Sequence, residues 1–148
     1  MTKGINRLKL IGKNIEDLKT ISAYCQDSII KINDLVYLKE NKMFIMMLSR
    51  FMWEDIEKGM FRKYKRIKSV LKFNFIENAL AKNINQKWKN RNLELLTIES
   101  THNQDNTYDI NLIFSGNSIM SLKSEEIDVI LDDQRYFLEV KYPPKHKI

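Results

Sequence analysis

Between Met43 and Met52 the chain is apolar almost without interruption, and Arg50 is its only charge. Read with a period of two, the stretch to Trp53 puts Met43, Ile45, Met47, Phe51 and Trp53 on one face. Phe44, Met46, Leu48 and Met52 fall on the other, with Arg50 among them. A strand that is apolar on both faces needs cover on both. One layer is close at hand in a helix just upstream. The other falls to a curled sheet, to the second half of the chain or to another subunit.

The helix is predicted over Ile15 to Gln26. Asn14 is its N-cap, because an asparagine side chain accepts from an amide two or three residues on. Glu16 and Asp17 fall in the first turn, where the helix dipole favours acids. Ile15, Leu18, Ile21, Ser22 and Cys25 recur at spacings of three and four and form one apolar stripe. Before it, Arg7–Ile11 alternates weakly and reads as a first strand. After it come strands at Ser28–Ile32, Leu35–Leu38 and Met43–Trp53, with a polar turn at 39–42. Glu54–Gly59 reads as a loop or short turn, and Ser69–Ile76 as a strand with Leu71, Phe73 and Phe75 alternating. The segment 77–84 is extended or ambiguous, and 83–92 is the longest loop. Strands follow at Leu93–Ser100, Asp109–Phe114, Ile119–Leu122 and Ile127–Leu131, which Asp132–Asp133 should end. Ser115-Gly116-Asn117 is a hairpin turn, and Tyr136–Tyr142 is a last strand. The pattern predicts one α+β domain over 1–148: a curled antiparallel β-sheet of six to eight strands, a roll or partly closed barrel, with one main helix packed on it.

At 148 residues the chain can bury roughly 70% of its unfolded surface without a metal or disulfide staple. The longest apolar run, Met43–Leu48, is far short of the ~20 residues of a membrane span, and no signal-peptide core precedes Leu18. A single cysteine, Cys25, forms no internal disulfide. These features predict a soluble, cytoplasmic, reduced protein without a membrane partner. The net charge of +6 invites a nucleic-acid reading. Its blander source is codon bias: Lys (19), Asn (14) and Ile (19) are in excess while Ala (3) and Gly (4) are scarce, as in an AT-rich genome.

A set of ordered pieces also carries a family likeness. They are Leu8–Ile11, Glu16-Asp17-Leu18, Ile21–Asp27 and Arg50–Glu54, then Leu71-Lys72-Phe73, Leu93–Glu99, Leu112–Gly116 and Glu125–Asp133. Together they resemble the bacterial domain-of-unknown-function family 2948 over nearly the whole chain. The resemblance implies a small bacterial cytoplasmic protein and brings no activity with it. Its helix-end and strand-end pieces supply the candidate interaction residues: Tyr24, Gln26, Asp27, Arg50, Trp53 and Glu54.

No motif for catalysis, phosphate binding or metal binding emerges, and no cofactor is expected. Cys25 as a nucleophile needs a base or positive field; on the helix stripe it reads instead as a packed, inert thiol. His102 and His146 lack a second pair of ligands at metal spacing. The acids at 54–57, 125–128 and 132–133 read as a solvated edge. Arg62, Lys63, Tyr64, Lys65, Arg66 and Lys68 form the candidate nucleic-acid stretch, interleaved with Phe61 and Phe73. The alternative for it is a charged solvent face with aromatics in the core. The methionines at 43, 46, 47, 52 and 60 fit a core, and become a partner site if one face of their strand is left uncovered. The leading expectation is a non-enzymatic protein-binding or regulatory module, its partner another protein or a second copy. An RNA- or DNA-binding accessory protein is second, and an enzyme of unrecognised type third. Arg50 is expected to pair with Asp27, with Glu54 as the next candidate.

Overall fold

A computed structural model describes residues 7–54, 64–140 and 144, with side chains for all of these except 64 and 135–140. Among them, one helix packs on a ten-stranded antiparallel sheet. Strand β1 (Lys9–Gly12) leads into helix α1 (Ile15–Cys25). The Asn14 side chain caps α1 by accepting from the Asp17 amide at 2.8 Å. Loss of that bond in Asn14→Ala should cost about 1 kcal/mol, and Asn14→Gly only a few tenths, in urea melts; equal melts for Ala and wild type would discount the cap. Gly12 lets α1 lie close to β1, since a Cβ there would stand 3.0 Å from Ile21 Cδ1 and 3.3 Å from Asp17 Cβ. Leu18, Ile21, Ser22 and Cys25 are the buried residues of α1, the stripe the spacing predicts.

Beyond α1 come β2 (Ser28–Lys31), a 3-10 turn, β3 (Leu35–Leu38), a second 3-10 turn and β4 (Met43–Phe51). Then follow β5 (Tyr64–Phe73), β6 (Ile76–Lys82), β7 (Asn92–His102), β8 (Tyr108–Phe114), β9 (Ser118–Ser124) and β10 (Val129–Val140). The ladder order is β1-β10-β5-β4-β2-β7-β8-β9-β6, with β3 beside β4. Strand β4 is therefore central, with β5 on one edge and β2 and β3 sharing the other. Phe44, Met46 and Leu48 join Leu18, Ile21 and Cys25 in one core with Phe73, Leu95, Leu112 and Phe114. The α+β class and antiparallel sheet match expectation. The sheet has ten strands where six to eight were expected, and its ladder is open, with β1 and β6 at the ends.

Three local departures have physical reasons. The stretch 69–76 is not one strand: β5 starts earlier, inside the basic run, and breaks at Asn74–Phe75, where Phe75 takes φ 61°. There the Asn74 amide bonds to the Asp128 carbonyl and the Ile76 amide to the Lys42 carbonyl, so Ile76 turns inward and Phe75 outward. Asp132–Asp133 does not end a strand, because β10 runs on through both, with a register shift between Asp133 and Phe137. Finally, β4 is not covered on both faces. Phe44, Met46, Leu48 and Arg50 are buried, whereas Met43, Ile45 and Ser49 are half-buried and Met47 is 39% exposed.

Candidate functional site

Arg50 points to the buried face of β4 with 0% exposure. Its Nε donates to Asp133 Oδ1 at 2.9 Å and its Nη2 to Asp133 Oδ2 at 2.7 Å. Nη1 and Nη2 donate to the two Glu54 carboxylate oxygens at 2.8 and 2.6 Å. Two bidentate carboxylates thus surround one guanidinium, a geometry that suits its planar fork. The expected partner Asp27 is not among them. It sits at φ 62° just past α1, where its carbonyl accepts from Arg66 Nη1 at 3.3 Å and its amide bonds to Leu95. Glu54, the next candidate, does pair.

Asp133 is the residue that sequence reasoning missed. Burial works against its charge, but the Arg50 hydrogen bonds and charge, the Ser69 hydroxyl at 2.5 Å and the Leu8 amide at 2.9 Å outweigh it. Its carboxyl is held below the usual carboxylate range. Arg50 is held charged in turn: burial opposes its proton, and the bonds to Glu54 and Asp133 more than compensate. The guanidinium and both carboxylates are hydrogen-bonded within the cluster, a strut that ties β4 to β10, to Ser69 of β5 and to Leu8 just before β1.

The strut supports a recess of about 400 Å³ between α1 and the end of β4. Tyr24, Trp53 and Glu54 line it with Lys19, Thr20 and Ala23. Arg50 lies 5.8 Å from the Tyr24 ring centre. The Trp53 indole donates to the Gln26 carbonyl at 3.0 Å and packs edge-on against Phe51 at 4.5 Å. The structure therefore gathers Tyr24, Gln26, Arg50, Trp53 and Glu54 into one neighbourhood, with Asp27 beside it.

The family model for "Protein of unknown function (DUF2948)" matches residues 8–146. The chain belongs to the DUF2948 family. No curated protein matches it, and no solved structure does. Membership in DUF2948 thus fixes kinship and leaves chemistry to the geometry.

Among the described residues no three His, Cys, Asp or Glu side chains are placed to hold a metal, and no helix is long and apolar enough to cross a membrane. Of the basic stretch, Arg62, Lys63 and the Tyr64 side chain lie outside the described residues. Lys65 and Arg66 are half-buried and Lys68 is exposed. Arg66 donates to the carbonyls of Asp27 and Ser49 and stands 5.9 Å from the Phe51 ring. Of the two phenylalanines expected to interleave, Phe61 lies outside the described residues and Phe73 is fully buried.

The outer face of the sheet has the opposite character. Register aligns Val36, Ile45, Lys72, Ile130 and Ile11 in one row across β3, β4, β5, β10 and β1. The adjacent row is Met47, Val70, Asp132 and Lys9. Val36, Leu38, Met47 and Ile11 are each 39–56% exposed. Helix α1 packs against the other face, and among the described residues no element packs over this one.

Proposed function

We propose that this chain is a non-enzymatic protein-binding module, and that its outer sheet face around Met47 takes an acidic, apolar surface of another protein. The observation that supports the reading is the exposed apolar stripe of the two rows, uncovered by α1. Exposed apolar patches rimmed by charge mark interaction surfaces, and here Val36, Met47 and Ile11 are exposed while Ile45, Val70 and Ile130 between them are half-buried. Charge selects the partner. Among the described residues Lys9, Lys68 and Lys72 border the stripe, with Asp132 in it and Glu94 at the far end of the Lys68 row, in a chain of net charge +6. A second copy would bring the same cations to the interface, whereas a surface carrying Glu or Asp around aliphatic anchors complements it. Single-stranded nucleic acid is gripped by exposed rings beside the cations, whereas Phe51 and Phe73, next to the basic stretch, are buried.

A labelled amphipathic peptide of Glu and Leu serves as probe, with its Lys and Leu counterpart as control. The acidic peptide should bind and weaken with added salt, and Met47→Glu should reduce its binding at least tenfold, as for a central interface position. The wild-type chain should scatter light as a monomer. Equal binding by Met47→Glu, preference for the basic peptide, tight binding of single-stranded oligonucleotides, or a dimer that Met47→Glu dissociates would each overturn the reading.

A further inference from the structure

On the inner side of the sheet the core opens into a second cavity, of about 320 Å³, between β3 and β6. At one end these strands are tied, the Ile76 amide bonding to the Lys42 carbonyl and the Tyr37 hydroxyl donating to the Ile76 carbonyl. Beyond that tie each has a ladder on one edge: β3 with β4, and β6 with β9. Phe44, Met120 and Ile32 from the core line the space. Its β6 wall is Ala79 and Ala81, opposite Leu122 and Met120 in register. The chain has three alanines, and two of them stand here on one face of one strand. Both side chains are small, Ala79 half-buried and Ala81 exposed at the rim, and they leave this stretch of wall low.

We propose that this cavity is a binding site for a compact, uncharged apolar molecule carrying one hydroxyl or carbonyl group. Its volume is about twice the ~150 Å³ of an apolar cavity that takes benzene, which suits roughly ten non-hydrogen atoms. Among the described residues the lining holds no ionisable acid or base apart from the Tyr37 phenol, so an ammonium or carboxylate would find no counter-charge in it. Two polar side chains are available to the hydroxyl or carbonyl. The Tyr37 oxygen, its proton committed to Ile76, remains an acceptor, and the Gln86 amide offers a donor and an acceptor. By residue type the walls are chiefly aliphatic and aromatic, with Tyr37 and Gln86 as polar side chains, a mixture that small-molecule sites share. This site is separate from the outer face, and its test does not depend on the protein-binding reading.

The probe is 1-octanol, followed by methyl-detected NMR of the full chain. Saturable shifts should appear at the Ala79, Ala81 and Met120 methyls while those of the outer-face Met47 stay in place. Octylammonium should bind at least tenfold more weakly than octanol. Ala81→Leu and, as the milder filling, Ala79→Val should each weaken octanol at least tenfold with the remaining spectrum native. The absence of shifts in the wild-type chain, octylammonium binding as well as octanol, or undiminished octanol binding in a natively folded filled variant would overturn the assignment. The wild-type arms decide the matter even if a filled variant fails to fold.

Discussion

Replacing Arg50 with Met should destabilise the protein by about 3–5 kcal/mol, the usual cost of stranding buried charge. The substitution leaves Glu54 and Asp133, both buried, without the guanidinium that now takes two hydrogen bonds to each. Asp133→Asn should cost less, because the amide keeps an acceptor for the Ser69 hydroxyl or the Leu8 amide. In a double-mutant cycle the two changes should be strongly non-additive; additive urea-melt energies would show that the cluster contributes no coupling. The pH dependence follows from the same carboxylate. Its folded pKa lies below the unfolded value of about 3.9. Its contribution is therefore fully present above that unfolded value and is lost as pH falls through the folded one. Wild-type stability should drop on acidification below about pH 4 with a slope that Asp133→Asn lacks. Parallel slopes for the two proteins would assign the acid lability elsewhere.

Cys25 should resist thiol reagents by several orders of magnitude relative to the denatured chain. It is fully buried in the core, and burial pushes its thiol from 9.0 up to about 12, outweighing the opposing pull of Arg50. That shift alone lowers the thiolate fraction at neutral pH about a thousandfold, and reagent access requires opening of the fold besides. Labelling of native protein at the denatured rate would show that α1 leaves the sheet readily. A Cys25→Ser variant offers no rescue of such labelling and serves as the blank.

What could be read from the residues was what they decide locally. Asn14 caps the helix through an amide three residues away, and the stripe of Leu18, Ile21 and Cys25 is set by helix geometry alone. The strut was legible only in half. Arg50 follows Phe44, Met46 and Leu48 inward by simple alternation, and Asp133 follows Ile127, Val129 and Leu131 in the same way. Both were signalled by a period of two. Reading Asp132–Asp133 as a strand end hid the second, and a partner 83 residues distant has no local trace. Asp27 was expected to pair with Arg50; it lies instead beside Arg66, which feels its charge and donates to its carbonyl, while its amide bonds to Leu95. Phe75 broke the alternation of Leu71 and Phe73 because its backbone takes a positive φ, which a phenylalanine does not announce. The inner cavity was invisible for another reason: its wall is low where Ala79 and Ala81 lack bulk, and a pattern search weighs what is there.

Strand β1 lies in the sheet beside β10, and the Leu8 and Asp133 bonds that bracket this pairing join residues 125 positions apart. Among the described elements, β1 is the first in the chain and its ladder partner the last. During synthesis β1 must wait without this ladder partner until residues 129–140 have emerged. The carboxylate that neutralises Arg50 arrives with that same late strand. Until then β4 carries a guanidinium on its inward face without one of its two counter-charges, so the nascent chain has reason to hold its core open. Order of delivery thus makes the last strand both the edge that seats the first and the charge that lets the middle close.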